Sequence, residues 1–210
     1  MSRPKSITLS PTALDRNGIA LTQTPAAGGV QSLTLVGSST TFTQPQHVTV
    51  YSAGDDTGRT FTVTGTDRYG NAMTESITGV SAGTAAGTKN FATVTSVTTD
   101  GNTAGAVEVG WNGLCESQWY VLNYRGDNFN VGIGCTLTGT ATYAVQHTFS
   151  NVFATGFVED DATVYTHPTL TGETTKQDGN YTNPPTACRL AVTAHTSGTV
   201  TMIVVHGGKA

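Results

Sequence analysis

The side chains that could carry out acid–base or metal chemistry are few and far apart in this sequence. Charged residues make up 11% of the 210 residues, less than half of the usual share of about 25%. The five histidines are His47, His147, His167, His195 and His206. None of them has an acidic residue at a spacing that would form a local ligand set. We therefore predict no catalytic residue, no metal site and no cofactor, and we expect that the chain is not an enzyme.

Two short acidic clusters could in principle bind a cation. They are Asp55-Asp56 and Glu159–Asp161. A calcium loop supplies several oxygen ligands from an Asp-x-Asp-x-Asp-Gly pattern, whereas residues 54–58 read Gly-Asp-Asp-Thr-Gly. Because Asp forms turns through its own side-chain hydrogen bonds, we interpret both clusters as turns. The phosphate-loop and zinc-protease motifs are missing from the sequence.

The cysteines do not form a metal-binding pattern either. Cys115, Cys135 and Cys188 are an odd set without metal-like spacing. Cys135 lies on the apolar parity of its segment, where a free cysteine behaves as a small hydrophobic residue. We interpret the three as packing thiols in a reducing compartment, and a disulfide between two of them remains open.

Four aromatic residues near the middle of the chain are the clearest candidates for a contact or binding surface. They are Trp111, Trp119, Tyr120 and Tyr124. Aromatic rings can stack on sugars, but they are equally suited to an interdomain core or a subunit contact. We favour the contact or core interpretation.

The elements that must position these residues are β-strands. Residues 61–66 and 129–149 alternate apolar and polar side chains with a period of two, and the polar positions are mostly threonine. This period places successive side chains on opposite faces of a sheet. Turn sequences recur between the alternating segments, and no segment has helical periodicity over two turns. The sequence predicts an all-β fold of antiparallel β-sandwiches, as two jelly-roll or Ig-like domains with almost no helix.

Several hairpins can be placed on the sequence. The predicted pairs are 59–66 with 72–79, 91–98 with 106–111, 128–138 with 141–149, and 188–194 with 199–206. The final strand is apolar on both parities from Met202 to Val205, which indicates a central strand or one that meets a partner. We therefore add Met202 and Val204 to the predicted contact surface.

A domain boundary is predicted near residue 113. Residues 1–113 then form an N-terminal β domain with an extended basic arm at residues 1–6, and residues 114–210 form a C-terminal β-sandwich. The alternative is one domain whose first and last strands enclose an inserted second domain.

Charge and hydropathy exclude two classes of partner. The formal net charge is −4 and the isoelectric point is about 5.6, so no basic footprint for a nucleic acid is present. No apolar run approaches the roughly 20 residues of a membrane span, and no apolar core of a secretory signal follows the basic start. We expect neither nucleic acid nor membrane as a partner.

Residues 60–75 resemble a segment of structural proteins from tailed-bacteriophage particles. The segment reads Thr-Gly-Thr-Asp-Arg-Tyr-Gly-Asn from residue 64 and continues to Thr74-Glu75. Residues 130–149, 167–171 and 178–181 are similar to parts of small phage virion proteins. The resemblance implies a component of the virion, assembled in the cytoplasm of the host bacterium, and it implies no catalytic residues.

The leading hypothesis is therefore a capsid decoration or cement protein that stabilises the particle as a homo-oligomer. Its partners would be other virion proteins, either the major capsid protein or tail and portal components. Two alternatives stay open: a tail, collar or fibre-base component, and a carbohydrate-binding β-sandwich that uses the aromatic residues between Trp111 and Tyr124.

Overall fold

The structure is a computed structural model, and it describes residues 3–124 and 130–207. Strands contain 58% of the residues and every strand pairing is antiparallel, which confirms the predicted all-β, sandwich-type fold. The described residues form these strands in chain order: β1 (Lys5–Leu9), β2 (Asp15–Gln23), β3 (Gln31–Ser32), β4 (Thr40–Gln46), β5 (Val48–Asp55), β6 (Thr60–Thr66), β7 (Ala72–Thr78), β8 (Ser81–Ala86), β9 (Phe91–Thr99), β10 (Val107–Trp111), β11 (Cys115–Glu116), β12 (Tyr120–Val121), β13 (Asn130–Thr148), β14 (Tyr165–Thr166), β15 (Gln177–Tyr181) and β16 (Ala187–Gly207). A single 3-10 turn, Glu159–Asp161, is the helical element of this described part.

The chain divides into two compact units. Pro11–Leu114 form one, which we call the inserted unit, and Met1–Ser10 with Cys115–Ala210 form the other, which we call the terminal unit. This division corrects the assignment of residues 1–113 to one domain, because β1 pairs with β16 and so belongs to the terminal unit. It follows the alternative in which the first and last strands enclose an inserted domain. Lys5 and Ser6 of the predicted arm lie in β1, and residues 1–2 lie outside the described residues.

The inserted unit has two sheets around one hydrophobic core. One sheet has the order β2-β10-β5-β8, and the other has the order β3-β9-β6-β7 with β4 also paired to β9. Buried side chains from both sheets form one cluster, which includes Val50 and Val109 from the first sheet and Phe61 and Val97 from the second. The period-two alternation of β6, with buried Phe61 and Val63 between half-buried threonines, supplies one wall of this core.

The hairpin of β6 and β7 is confirmed, and Asp67 explains its turn. The Asp67 carboxylate accepts hydrogen bonds from the backbone N–H groups of Tyr69 at 2.8 Å and Asn71 at 2.9 Å. Gly70 has a φ of 82°, a conformation that glycine adopts without steric cost. The predicted hairpin of 91–98 with 106–111 is wrong, because β9 and β10 lie in different sheets. The chain between them crosses from one sheet to the other.

Two long strands form the centre of the terminal unit. β13 has 19 residues and β16 has 21, and they pair along nearly their whole length from Asn130 with Gly207 to Thr148 with Ala187. Both predicted hairpins in this unit are therefore wrong, since each predicted pair of strands is one continuous strand. Residues 128–129 of the first predicted hairpin lie outside the described residues.

The long ribbon of β13 and β16 folds back on itself. Tyr181 in β15 pairs with Val131, near one end of β13, whereas His147 lies 16 residues further along the same strand. A straight strand would separate these positions by about 53 Å. The ring centroids of His147 and Tyr181 are nevertheless 5.1 Å apart. The apolar faces of the two halves therefore meet, and their residues share one core with Leu9 of β1.

Candidate functional site

Trp111 is half-buried and packs against the core of the inserted unit. Its ring meets Phe42 edge to face with centroids 5.3 Å apart, and its indole N–H donates to the Ala13 carbonyl at 2.9 Å. A Cβ at Gly18 would overlap the Trp111 ring, so only glycine leaves room for the ring at this position. The ring and its polar N–H are thus used in packing within the unit, and the interpretation as an interdomain core or a subunit contact stays a prediction.

Trp119 is a structural residue of the terminal unit. It is 8% exposed and packs with Ala162 and Ala187. Its indole N–H donates to the Glu159 carbonyl at 3.3 Å, and the Arg189 guanidinium lies 4.6 Å from the ring centroid. Such a cation over the ring face is an attractive contact. Because both the face and the N–H are used internally, Trp119 does not offer a platform to a ligand.

Met202 and Val204 are not surface residues. Both are fully buried in the core of the terminal unit. The alternation of β16 instead directs Ile203 and Val205 outward, where they are 37% and 43% exposed. The prediction of a contact surface at Met202 and Val204 is therefore corrected, because it chose the parity that faces the core.

Tyr120 and Tyr124 are half-buried residues of the terminal unit, on either side of a short segment in which Leu122 is buried and Asn123 is exposed. β12 holds Tyr120 and Val121 opposite Cys188 and Ala187 of β16. A cleft of about 480 Å³ opens beside this segment, and we call it the Asn123 cleft. It is lined by Val121, Leu122, Asn123, Tyr124, Asn151 and Phe153.

A second cleft of about 390 Å³ shares part of this lining. It is formed by Tyr120, Val121, Leu122, Asn123 and His206, and we call it the His206 cleft. The rings of Tyr120 and His206 are 5.9 Å apart. Burial raises the pKa of Tyr120 and lowers the pKa of His206, so both groups are uncharged at neutral pH. The two clefts together form a surface depression with aromatic rings at both ends, and the described residues that line it carry no charge at neutral pH.

A cluster of histidine and aromatic rings in the same unit was not predicted from the sequence. His147 stacks on Tyr165 with centroids 5.7 Å apart, and Phe149 meets both rings edge to face. His167 approaches the other side of the cluster through Tyr181, with centroids 4.8 Å apart. The i, i+2 spacing of His147 with Phe149 places both rings on one strand face, and this spacing can be read from the sequence. The pairing of distant strands that brings His147 and His167 into one cluster cannot be read from the sequence.

Burial, together with the hydrogen bond from Thr169, favours the neutral form of His167. Its Nδ1 accepts from the Thr169 backbone N–H at 3.2 Å, so its Nε2 carries the proton toward the Asn180 carbonyl at 3.2 Å. Burial lowers the pKa of His167, and the bond to Asn180 partly opposes this shift. Burial, and then the charge of His167, lower the pKa of His147, whose Nδ1 is buried without a hydrogen-bond partner in the described structure. A proton added at Nδ1 of either ring would therefore be buried without a hydrogen-bond acceptor.

The three cysteines are buried and free of disulfides. Burial raises the pKa of Cys135 to about 12 and that of Cys188 to about 12. These values keep both thiols protonated at neutral pH, and a protonated thiol is neither a nucleophile nor a metal ligand.

The acidic clusters serve as turn and loop anchors. Asp55 accepts hydrogen bonds from the backbone N–H and the hydroxyl of Thr57, and these bonds lower its pKa. Asp56 is buried and accepts from the Ala104 N–H at 2.7 Å. Glu159 accepts from the Trp119 N–H at 3.3 Å. Among residues 3–124 and 130–207, no group of three or more histidine, cysteine or acidic side chains is placed to hold a metal ion.

The outer face of the second sheet of the inserted unit is covered by hydroxyl groups, and we call it the hydroxyl face. In β6 the threonines alternate with buried core residues, and their partners across the sheet are hydroxyl residues too, except for Ala72 opposite Thr66. Thr62 lies between Ser76 and Thr98, and Thr64 lies between Thr74 and Ser96. The members are Thr60, Thr62, Thr64, Thr66, Thr74, Ser76, Thr78, Thr93, Ser96 and Thr98.

This face carries no charge within β6, β7 and β9. Glu75 is the charged residue of β6, β7 and β9, and it lies on the other parity, where it accepts from the Thr88 N–H at 2.6 Å. The alternation in the sequence predicted a polar face rich in threonine. The register that aligns the hydroxyls in rows across the strands is visible only in the structure.

Comparison with known proteins adds no family. No family model, no curated protein and no solved structure matches this chain. Among the described residues, no helix has the length and apolar character needed to cross a membrane.

Proposed function

We propose that this chain is a structural protein of a tailed-bacteriophage particle that decorates the capsid in many copies. The observation that carries the proposal is the hydroxyl face, which offers rows of threonine and serine without a charge. Threonine contributes a methyl group for packing and a hydroxyl that both donates and accepts, so it can adapt to a protein partner. The resemblance of residues 60–75 to phage structural proteins supports the same proposal, since these residues include five of the ten hydroxyl residues of the face.

The size of the face explains why many copies are needed. β6 and β7 have seven residues each and β9 has nine. At about 3.3 Å per residue and about 4.8 Å between strands, three strands cover roughly 23 Å by 14 Å, or about 330 Å². A stable interface buries about 800 Å² on each partner. One face alone would bind weakly, whereas a homo-oligomer that contacts several capsid subunits would be retained through avidity.

The absence of charge on this face predicts how the attachment responds to salt. Contacts between exposed charges weaken as ionic strength rises, because the screening length falls to about 3 Å at 1 M. Contacts through hydroxyl and methyl groups are not screened in this way. Retention on the particle should therefore be nearly the same in dilute buffer and in 1 M salt.

The experiment that tests the proposal combines imaging of particles with a pair of double variants. Thr74→Lys with Ser76→Lys places two charges on exposed positions of the hydroxyl face. Thr84→Lys with Ala86→Lys places the same charges on exposed positions of β8, in the other sheet of the same unit. We expect the first variant to be lost from the shell and the second to be retained at the normal occupancy.

Two results would overturn this proposal. Equal retention of both variants would show that the hydroxyl face makes no contact with the capsid. Labelled protein at a single vertex, instead of over the whole shell, would favour the alternative of a tail, collar or fibre-base component.

A further inference from the structure

We infer that the Asn123 cleft and the adjoining His206 cleft bind a neutral oligosaccharide. This function is separate from the proposed attachment to a particle, which uses the inserted unit. Both clefts belong to the terminal unit, and they share Val121, Leu122 and Asn123 as a common floor. A chain of sugar rings could therefore occupy both clefts in succession.

The volume fits a small ligand. Sites for small molecules have volumes of roughly 300 to 1,000 Å³ and combine apolar walls with a few polar groups. The Asn123 cleft has about 480 Å³, and Leu122 forms a buried apolar floor. The β12 strand fixes this floor, because Tyr120 and Val121 are paired with β16 and the Leu122 N–H donates to the Thr186 carbonyl at 3.0 Å.

An exposed ring stands at the wall of the cleft. Phe153 is 63% exposed although it lines the cleft, so its ring is available to a ligand. The C–H groups on one face of a pyranose carry partial positive charge, and they pack favourably on the electron-rich face of an aromatic ring. Tyr120 and His206 supply rings at the other end of the depression.

Two carboxamides lie beside the aromatic walls. Asn123 is exposed, and its amide makes no hydrogen bond to any residue that the structure describes. Asn151 is held in place because its Oδ1 accepts from the Phe153 backbone N–H at 3.1 Å, and the Ala154 N–H donates to the Asn151 carbonyl at 3.1 Å. A carboxamide offers two donors and an acceptor, which suits the adjacent hydroxyls of a sugar. The same turn that orients Asn151 also presents Phe153, so the site is preorganised.

The charge of the lining selects the class of sugar. Among the residues that the structure describes, the lining of the Asn123 cleft includes no carboxylate, ammonium or guanidinium group. These lining residues offer no cation to a sialylated or sulfated glycan and no carboxylate to an amino sugar with a free amine. They favour neutral hexoses and N-acetylated hexosamines over charged glycans, and over an apolar peptide, which would leave the Asn123 carboxamide without a partner.

The test is a titration of the full chain with neutral trisaccharides, after a screen on an array of neutral glycans. Maltotriose, cellotriose and tri-N-acetylchitotriose are the first probes for calorimetry. We expect at least one of these or of the array glycans to bind, and we expect Phe153→Ala and Asn123→Ala each to weaken binding by about tenfold or more. Phe149→Ala is the matched control, because Phe149 is 57% exposed in the same unit but does not line either cleft.

The outcomes separate this inference from the proposed function. Binding that is lost in Phe153→Ala, retained in Phe149→Ala and retained in Thr74→Lys with Ser76→Lys supports a glycan cleft that is independent of the hydroxyl face. Absence of binding to every neutral glycan at about 10 mM overturns the inference. Equal weakening by both phenylalanine variants, or binding only to apolar peptide probes, also overturns it. Far-UV circular dichroism of each variant confirms that its fold is intact.

Discussion

Gly139 and Gly198 lie opposite each other in the pairing of β13 with β16, and both have positive φ angles, of 77° and 90°. The two glycines separate the halves of the ribbon that fold back on each other. A Cβ at position 198 would overlap the Thr138 carbonyl oxygen, and a Cβ at position 139 would lie 2.6 Å from the Ser197 carbonyl oxygen. The pair therefore allows two backbones to approach where side chains would keep them apart.

The first prediction concerns this glycine pair. Gly198→Ala combines a left-handed φ with a steric overlap, so we expect it to lower the free energy of unfolding by about 2 to 4 kcal/mol. Urea unfolding followed by circular dichroism measures the change. Gly134→Ala is the control on the same ribbon, since a Cβ there would meet nothing within 4 Å. Similar destabilisation by both variants would contradict the role of the pair.

The same glycines show why the sequence predicted the fold class and missed the topology. Gly139-Thr140 and Ser197-Gly198 resemble two-residue turns between alternating segments, so each long strand was divided into a hairpin. Local sequence cannot distinguish a tight turn from a bend within a paired ribbon, because both require a glycine with positive φ. The hairpin at Asp67 was predicted correctly because its turn is stabilised by hydrogen bonds within the turn itself.

The candidate site was predictable only in part. The cluster of aromatic residues in the sequence contained Tyr120 and Tyr124, which lie at the clefts. It also contained Trp119, whose ring is covered by Arg189, a residue 70 positions later in the chain. Phe153 and Asn151 reach the Asn123 cleft through a turn after the end of β13, and no spacing in the sequence connects them with Asn123. The side of the strand that faces the core is likewise decided by long-range packing, which is why Met202 and Val204 were misassigned.

The second prediction concerns Trp119. Trp119→Ala removes a nearly buried ring, its hydrogen bond to Glu159 and its contact with Arg189, so we expect a loss of about 3 to 5 kcal/mol of stability. Circular dichroism during urea unfolding measures this loss. Phe153→Ala, which removes a mostly exposed ring, should change the midpoint little. If the two variants had equal midpoints, the structural role of Trp119 would be refuted.

The third prediction concerns the thiols. Cys115, Cys135 and Cys188 are buried, and a pKa of about 12 keeps Cys135 and Cys188 protonated. We expect these cysteines to react with Ellman's reagent at pH 8 only on the timescale of unfolding, and to react rapidly in 6 M guanidinium chloride. Three reactive thiols in the denatured chain without reductant would show that no disulfide forms. Rapid labelling of the native protein would contradict the buried positions.

The fourth prediction concerns acid. In the folded protein the pKa values of His147, His167 and His206 are lowered, mainly by burial, whereas the unfolded chain has histidines near 6.5. Between the two values the unfolded chain binds more protons than the folded protein, so the free energy of unfolding rises with pH. The stabilising effect is fully present above about pH 6.5 and is lost as the pH falls below it. We therefore expect a lower urea midpoint for the terminal unit at pH 5.5 than at pH 7.5.

The fluorescence of Trp119 in a Trp111→Phe background reports this unit alone, because the other tryptophan lies in the inserted unit. His167→Gln should flatten the dependence on pH by no more than about 1.4 kcal/mol per pH unit, the limit for one proton. Glutamine can still accept from Thr169 and donate to Asn180, but it does not titrate. Thr84→Ala, in the inserted unit, should leave the slope unchanged. A slope in His167→Gln equal to that of the parent chain would mean that His167 is protonated as easily in the folded protein as in the unfolded one, and this would contradict the effect of its burial and of the hydrogen bond that its Nδ1 accepts from Thr169.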